Sequence, residues 1–353
     1  MLNFYPGPSK VYPEVRNYLV DAYDEGILST PHRGEQFVQM TRAVVGSVKR
    51  RLNIPQDYYI FFTSSATECW EVLIQSLTKH KSSHIYNGSF GEKWYQYAQK
   101  LRPAAEGFSF DLNAPMPVEQ LNISADTELI CFTHNETSNG TQVSPTTILN
   151  LHNRYRDTLI AVDATSSMAG LNLKVIKADI WFASAQKCFG LPAGLAVMAC
   201  SPRAIFRAKQ MGERAHYNSL VSMYEKMLNY QTTHTPNVLN IYLLKRALED
   251  RPFIKTIDLE LTDRAQELYT FFEQFSDFQL LVENEEVRSK TVLALQGNEK
   301  LIDDIKKRAL HHNMRLGNGY GPWARNTFRI ANFPAILNEE YEELKRFFLH
   351  YYA

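Results

Sequence analysis

Short apolar runs alternate with longer amphipathic stretches through the middle of the chain, and this alternation constrains the fold more than any other feature. Residues 58–63 (YYIFFT), 84–86, 129–133 (LICFT), 159–163 (LIAVD), 180–184 (IWFAS) and 195–199 (LAVMA) read as strands. Their residues are nearly continuous in apolar character, the pattern of strands covered on both faces. Between them, 66–77, 91–101 and 145–156 read as helices, with apolar residues at helical spacing such as Trp70, Leu73, Ile74 and Leu77. Strand and helix in alternation predict an α/β fold with a mostly parallel sheet flanked by helices. The loop between the last two strands is too short for a crossover helix. They are therefore expected as an antiparallel pair, which makes the sheet mixed.

Beyond Pro236 the texture changes. Residues 238–249, 259–275, 300–311 and 339–350 read as helices, and 291–295 and 327–331 as weak strands. The expected organisation is a large domain over residues 1–250 and a smaller C-terminal α+β domain over 251–353. A chain of 353 residues is long enough for two such units and for a deep, dry site.

Lys+Arg and Asp+Glu both number 38, so the formal net charge is zero. That balance argues against a nucleic-acid or membrane-surface partner and leaves room for a local basic pocket. The four cysteines, Cys69, Cys131, Cys188 and Cys200, form no CxxC pair and no zinc spacing with histidine. Reduced thiols in or near the core are expected, and no metal site. The N-terminus shows no basic segment followed by an apolar stretch, and no run approaches a membrane span. A cytoplasmic protein is expected.

In an open α/β sheet, ligands gather at the carboxyl ends of the strands. The polar residues there are Ser64-Ser65-Ala66-Thr67, His134-Asn135-Glu136-Thr137, Asp163, and Ala185-Gln186-Lys187. Each has an ordinary account when taken alone. Asp163 reads as a turn or cap residue and Lys187 as a solvated loop lysine. Ser65 and Glu68 have capping-box spacing. Phe90 reads as core, and His32-Arg33 as surface. Together they match the needs of a phosphate-bearing aldehyde cofactor. A lysine forms the Schiff base. A carboxylate keeps a pyridine nitrogen protonated. A helix N-terminus with hydroxyls takes a phosphate, and an aromatic ring covers a pyridine face.

The segments NFYPGP (3–8), HRGEQF (32–37), NGSFGEKW (87–94), HNETSNG (134–140), AVDATSS (161–167), SAQKCFGLPAGL (184–195), HTPN (234–237) and FRIANFP (328–334) carry a resemblance. In this order they resemble the class V aminotransferases, and within them the phosphoserine aminotransferase family. The resemblance implies a fold-type I transferase that uses pyridoxal 5′-phosphate. Lys187 would hold the cofactor and Asp163 would pair with its pyridine nitrogen. Phe90 would stack on the ring, and Thr137 would lie near the phenolic oxygen. Gln186 and the backbone at Ala66 and Thr67 would hold the phosphate. His234 and Thr235 match an Asn-Thr pair that reaches the neighbouring subunit's cofactor, so a homodimer with shared sites is implied. Arg329 would grip the substrate α-carboxylate, and His32 and Arg33 would approach its distal anion.

The implied reaction is transamination of small amino and 2-oxo acids, with phosphoserine and 2-oxoglutarate expected first, in serine biosynthesis. Two features lean toward the alanine– or serine–glyoxylate branch. Thr67 stands where the phosphoserine group carries an arginine, and the QKCFGLPAG spacing is one residue longer. A cysteine desulfurase needs a late loop cysteine, and none follows Cys200.

Overall fold

A computed structural model describes residues 1–352. Two helices that the sequence reading did not anticipate come first, α1 (Val15–Asp24) and α2 (Glu35–Arg51). The main sheet has seven strands. They are β1 (Tyr59–Thr63), β2 (Ser82–Tyr86), β3 (Glu106–Ser109), β4 (Leu129–Thr133), β5 (Leu159–Asp163), β6 (Ile180–Ser184) and β7 (Ala196–Cys200). Their spatial order is β1-β7-β6-β5-β4-β2-β3. β7 runs antiparallel to both of its neighbours, and every other pairing in the sheet is parallel. The mixed sheet and its antiparallel pair follow the expectation.

Helices α3 (Ala66–Leu77), α4 (Ser89–Leu101) and α5 (Pro145–Arg154) connect these strands. Every residue of β5, β6 and β7 is buried, which is why their sequences are continuous apolar runs. β3 was not predicted. It is an edge strand whose residues alternate between half-buried and exposed, so EGFS has no apolar run to read. All four cysteines are free and buried.

Helices α6 (Pro202–Met211), α7 (Leu220–Met227) and α8 (Val238–Asp250) lead to the long α9 (Ile254–Phe272), which starts five residues before the predicted 259. A second sheet follows, with strands β8 (Gln279–Leu280), β9 (Val292–Gln296), β10 (Gly317–Asn318) and β11 (Thr327–Ala331). Its order is β8-β9-β11-β10, antiparallel throughout. α10 (Glu299–His311) and α11 (Asn338–Tyr352) belong to the same region. Its core is aromatic: Phe328 stacks on Phe348 at 5.7 Å, and Phe272 and Phe278 meet the same ring edge-on.

The first residues of the chain join the two sheets. Leu2–Asn3 pairs in parallel with Met314–Arg315. Ala331 N donates to Phe4 O at 2.8 Å, then Ser9 N donates to Gln186 O at 2.9 Å and Tyr12 N to Gly190 O at 3.0 Å. This strap crosses Lys187 at Gly7. Gly7 has φ +148°, and a Cβ there would sit 2.9 Å from Lys187 Cε. Among the described residues, no helix is long and apolar enough to cross a membrane.

Candidate active site

β5 and β6 lie side by side, with Asp163 opposite Phe182 in the ladder. Asp163 ends β5, and Lys187 lies in the turn after β6. Both are buried, at 3% and 7% exposure, and both line one cavity of about 190 Å3. Ala66, Thr67, Phe90, Thr137, Gln186 and Arg329 line the same cavity. Most of the residues singled out in the sequence therefore meet in one place. A larger hollow of about 460 Å3 beside Phe110 and Val143 has no lysine, arginine or aspartate in its walls.

Lys187 Nζ donates to Thr137 Oγ1 at 2.8 Å and to Ser166 Oγ at 3.1 Å, and the two hydroxyls bond to each other. It also lies 5.1 Å from the centre of the Phe90 ring. Burial pulls its pKa down to about 8; Asp163 and Glu136 oppose this fall and Arg329 adds to it. A lysine so placed is partly neutral near physiological pH, as a nucleophile must be.

Asp163 is fixed by two donors. Trp70 Nε1 reaches Oδ2 at 3.0 Å, and Thr165 N reaches Oδ1 at 2.9 Å. Burial raises its pKa, while those donors and Lys187 pull it back. A buried carboxylate with two donors and a nearby cation is set to face a further positive group.

The N-terminus of α3 opens on the cavity. Its start is set by Ser65, whose hydroxyl accepts from Glu68 N at 3.1 Å. The Glu68 carboxylate reaches Ser64 N and Oγ, one residue earlier than a standard capping box. Ala66 N donates to Ser184 Oγ at 2.8 Å. Peptide N–H groups and the helix dipole make this end a ready anion site.

Arg329, on β11, is 3% exposed. Its Nε donates to Asn318 O at 2.7 Å and its Nη1 to Thr137 O at 2.6 Å, which leaves Nη2 without a hydrogen bond among the described residues. Burial pulls its pKa down to about 10. Tyr320 covers the same mouth, stacked on Phe90 at 4.9 Å.

His32, Arg33, His234 and Thr235 do not line this cavity. They form a second group at the surface. Burial lowers the His32 pKa, and the nearby Arg33 and His234 add to the fall. Arg33 Nη1 donates to Gln231 Oε1 at 3.0 Å, and His234 meets the Tyr217 ring edge-on at 5.4 Å.

The sequence reading missed Trp70, Ser166, Tyr320 and the strap. Trp70 reads as an ordinary apolar position on α3. The one available signal for Ser166 is the hydroxyl run Thr165-Ser166-Ser167 directly after Asp163.

The cavity suits a polar ring compound with a phosphate. Thr133 Oγ1, Asn135 Nδ2 and Thr165 Oγ1 are buried without hydrogen-bond partners, and all three residues line its wall. Orphaned groups of this kind are expensive unless a ligand completes them. With Lys187 and Asp163 added, the donor set fits pyridoxal 5′-phosphate.

A mixed seven-stranded sheet with a lysine and an aspartate at adjacent strand ends defines a fold-type I pyridoxal-phosphate enzyme. The chain belongs to the class V aminotransferase family, whose model matches residues 2–307, and it is a pyridoxal-phosphate-dependent transaminase. It is similar to a phosphoserine aminotransferase of Cytophaga hutchinsonii, whose crystal structure superposes with a TM-score of 0.95. Identity there is 34%, over 99% of this chain and 98% of that one. The phosphoserine aminotransferase of Rhodococcus opacus is 26% identical over 352 residues, 96% of this chain and 92% of that protein. An alanine–glyoxylate aminotransferase from Nostoc shares the fold, with a TM-score of 0.84 and 19% identity over 98% of this chain and 94% of that one.

Proposed function

We propose that the enzyme exchanges the amino group between phosphoserine and 2-oxoglutarate, in the cytoplasm, as a step of L-serine biosynthesis. The full-length likeness to a phosphoserine aminotransferase supports this reading above any other observation. Pyridoxal 5′-phosphate, when bound, supplies an aldehyde for amine exchange and an electron sink at the substrate α-carbon.

The protein's residues do the rest. Lys187 would hold the cofactor, and its freed Nζ would carry the proton from the substrate α-carbon to the cofactor's aldehyde carbon, as base and then acid. Thr137 and Ser166 aim that amine. Asp163 would hold a proton on the pyridine nitrogen, its carboxylate fixed at the cavity wall by Trp70 and Thr165. The backbone at Ala66 and Thr67, with Gln186, would take the phosphate, Ala66 N exchanging its bond to Ser184 Oγ for it, and Phe90 would cover one ring face. Arg329 offers its free Nη2 to the substrate α-carboxylate, where a planar guanidinium is well matched.

His32, Arg33, His234 and Thr235 lie outside their own chain's cavity, which supports a homodimer in which this face completes the partner's site. In that arrangement Arg33 and His32 approach the distal anion of the substrate.

One observation favours a second reading, an alanine– or serine–glyoxylate (or pyruvate) aminotransferase. Thr67 occupies the place of a phosphate-binding arginine, and among the described residues Arg329 is the only arginine in the cavity wall. Half-reactions followed by absorbance, with phosphoserine, serine, alanine and glutamate offered in turn, separate the two. Phosphoserine and glutamate are expected to convert the cofactor fastest. Conversion by alanine with none by phosphoserine would establish the second reading.

A further inference from the structure

Helix α4 carries Phe90 but has no cap of its own. Gly88, its N-cap residue, has no side chain to offer. The orphan N–H groups are taken instead by residues far along the chain. Ser89 N donates to Ser138 Oγ at 3.0 Å, Phe90 N to Glu136 Oε2 at 3.2 Å, and Gly91 N to the same oxygen at 3.1 Å. The other oxygen, Glu136 Oε1, accepts from Ser138 N at 3.0 Å and from Ser138 Oγ at 2.6 Å.

The approach is so close that Gly88 admits no side chain, since a Cβ there would lie 2.4 Å from Glu136 Cγ. Glu136 itself is 2% exposed. Burial raises the Glu136 pKa, and the hydrogen bonds from Ser138 and Gly91 and the nearby Lys187 oppose that rise; with each oxygen already accepting two hydrogen bonds, an amide NH2 has no place there. An ionised carboxylate at a helix N-terminus is also favoured by the helix dipole.

The neighbouring residue is tied to the chemistry. Thr137 Oγ1 accepts from Lys187 Nζ at 2.8 Å, and Thr137 O accepts from Arg329 Nη1 at 2.6 Å. Residues 136–138 thus join three groups of the site. The side chains of Glu136 and Ser138 hold the helix that bears the Phe90 ring. The side chain of Thr137 holds the lysine, and its carbonyl holds the arginine.

We infer that Glu136 is a positioning residue of the transaminase: it caps α4 across the fold and thereby sets the Phe90 ring relative to Lys187. It also adds a second buried anion beside the lysine. The charged or titratable groups acting on Lys187 are Asp163 and Glu136, which favour its charged form, Arg329, which opposes it, and the Cys188 thiol. The inference rests on the enzyme class and is independent of which amino donor is used.

The test uses apoenzymes of wild type, Glu136→Gln and Ser138→Ala, titrated with pyridoxal phosphate. Absorbance and visible circular dichroism of the bound chromophore are followed across pH, and apoprotein melting is recorded alongside. Glu136→Gln keeps the shape but sets an NH2 against N–H donors. It is expected to melt within about 5 °C of wild type and to bind the cofactor about tenfold more weakly. It should also lose most of the induced dichroism and shift the pH midpoint of the chromophore downward, because an anion near the lysine is gone. Wild-type dichroism and midpoint in Glu136→Gln, whatever its melting temperature, would overturn the inference, since the carboxylate would then serve stability alone. Should Glu136→Gln fail to fold, Ser138→Ala decides. It keeps the charge but frees Ser89 N, so loss of dichroism at an unchanged midpoint is expected, and wild-type dichroism would overturn the inference.

Discussion

The Lys187 end of the cavity and the His32–His234 surface differ in how complete they are within one chain. Around Lys187 every charged group is buried and held: the amine by two hydroxyls, Asp163 by an indole and a peptide N–H, and Arg329 by two carbonyls. Around His234 the groups are half-buried or exposed, and Arg33 reaches a glutamine at the surface. On the proposed reading, the first region holds the cofactor and the substrate α-carboxylate, and the second serves a partner's site and discriminates among substrates.

The sharpest way to break this contrast is Lys187→Ala. It is expected to slow the half-reaction at least about 10³-fold, the scale of a lost acid–base group, while the cofactor still binds. Stopped-flow absorbance measures the rate, and borohydride followed by peptide mapping should no longer fix the cofactor to the protein. Near-normal turnover would remove Lys187 from the centre of the scheme.

Asp163→Asn preserves volume and removes the charge. A charge-assisted bond of about 2–3 kcal/mol corresponds to a loss of roughly 30–150-fold in the half-reaction, for every amino donor alike. An effect confined to one donor would mean that the buried region also discriminates.

Arg33→Ala tests the other side. It is expected to raise the KM for phosphoserine about tenfold and to leave the alanine half-reaction unchanged, the signature of a lost contact to a distal anion. Equal effects on both donors would place discrimination elsewhere.

The smallest expected effect is on stability. The Lys187 pKa is about 8 in the folded apoenzyme, against an ordinary 10.5 when unfolded. Between these values the unfolded chain binds more protons, so this group makes stability rise with pH over that window. Melting of apoenzyme from pH 8 to 10 should show the rise, and Lys187→Met should flatten it. The same slope in both proteins would mean that the amine is charged in the folded state.

Asp163 and Lys187 are legible because one ends and the other closely follows a fully buried strand, and such strands announce themselves as unbroken apolar runs. Arg329 and Thr137 were reached through motif resemblance. Trp70 was not legible: an indole on the inner face of a helix has the same spacing whether its N–H meets a carboxylate or nothing. Tyr320 was hidden for another reason. It arrives from the second sheet, and no local pattern records which loops of two sheets meet. Glu136 could be seen in NETSNG, but its partner Gly88 lies in a different motif, and their contact exists only after folding.

The strap at Gly7 bears on how the enzyme comes into being. Its contacts run between positions 2 and 313 and between Phe4 and Ala331, so they cannot form until nearly the whole polypeptide has left the ribosome. Contacts so distant along the chain are slow to close. The Ser9–Gln186 and Tyr12–Gly190 contacts, by contrast, need little more than the first half of the chain, so the strap is laid beside the lysine early and pinned to the second sheet last.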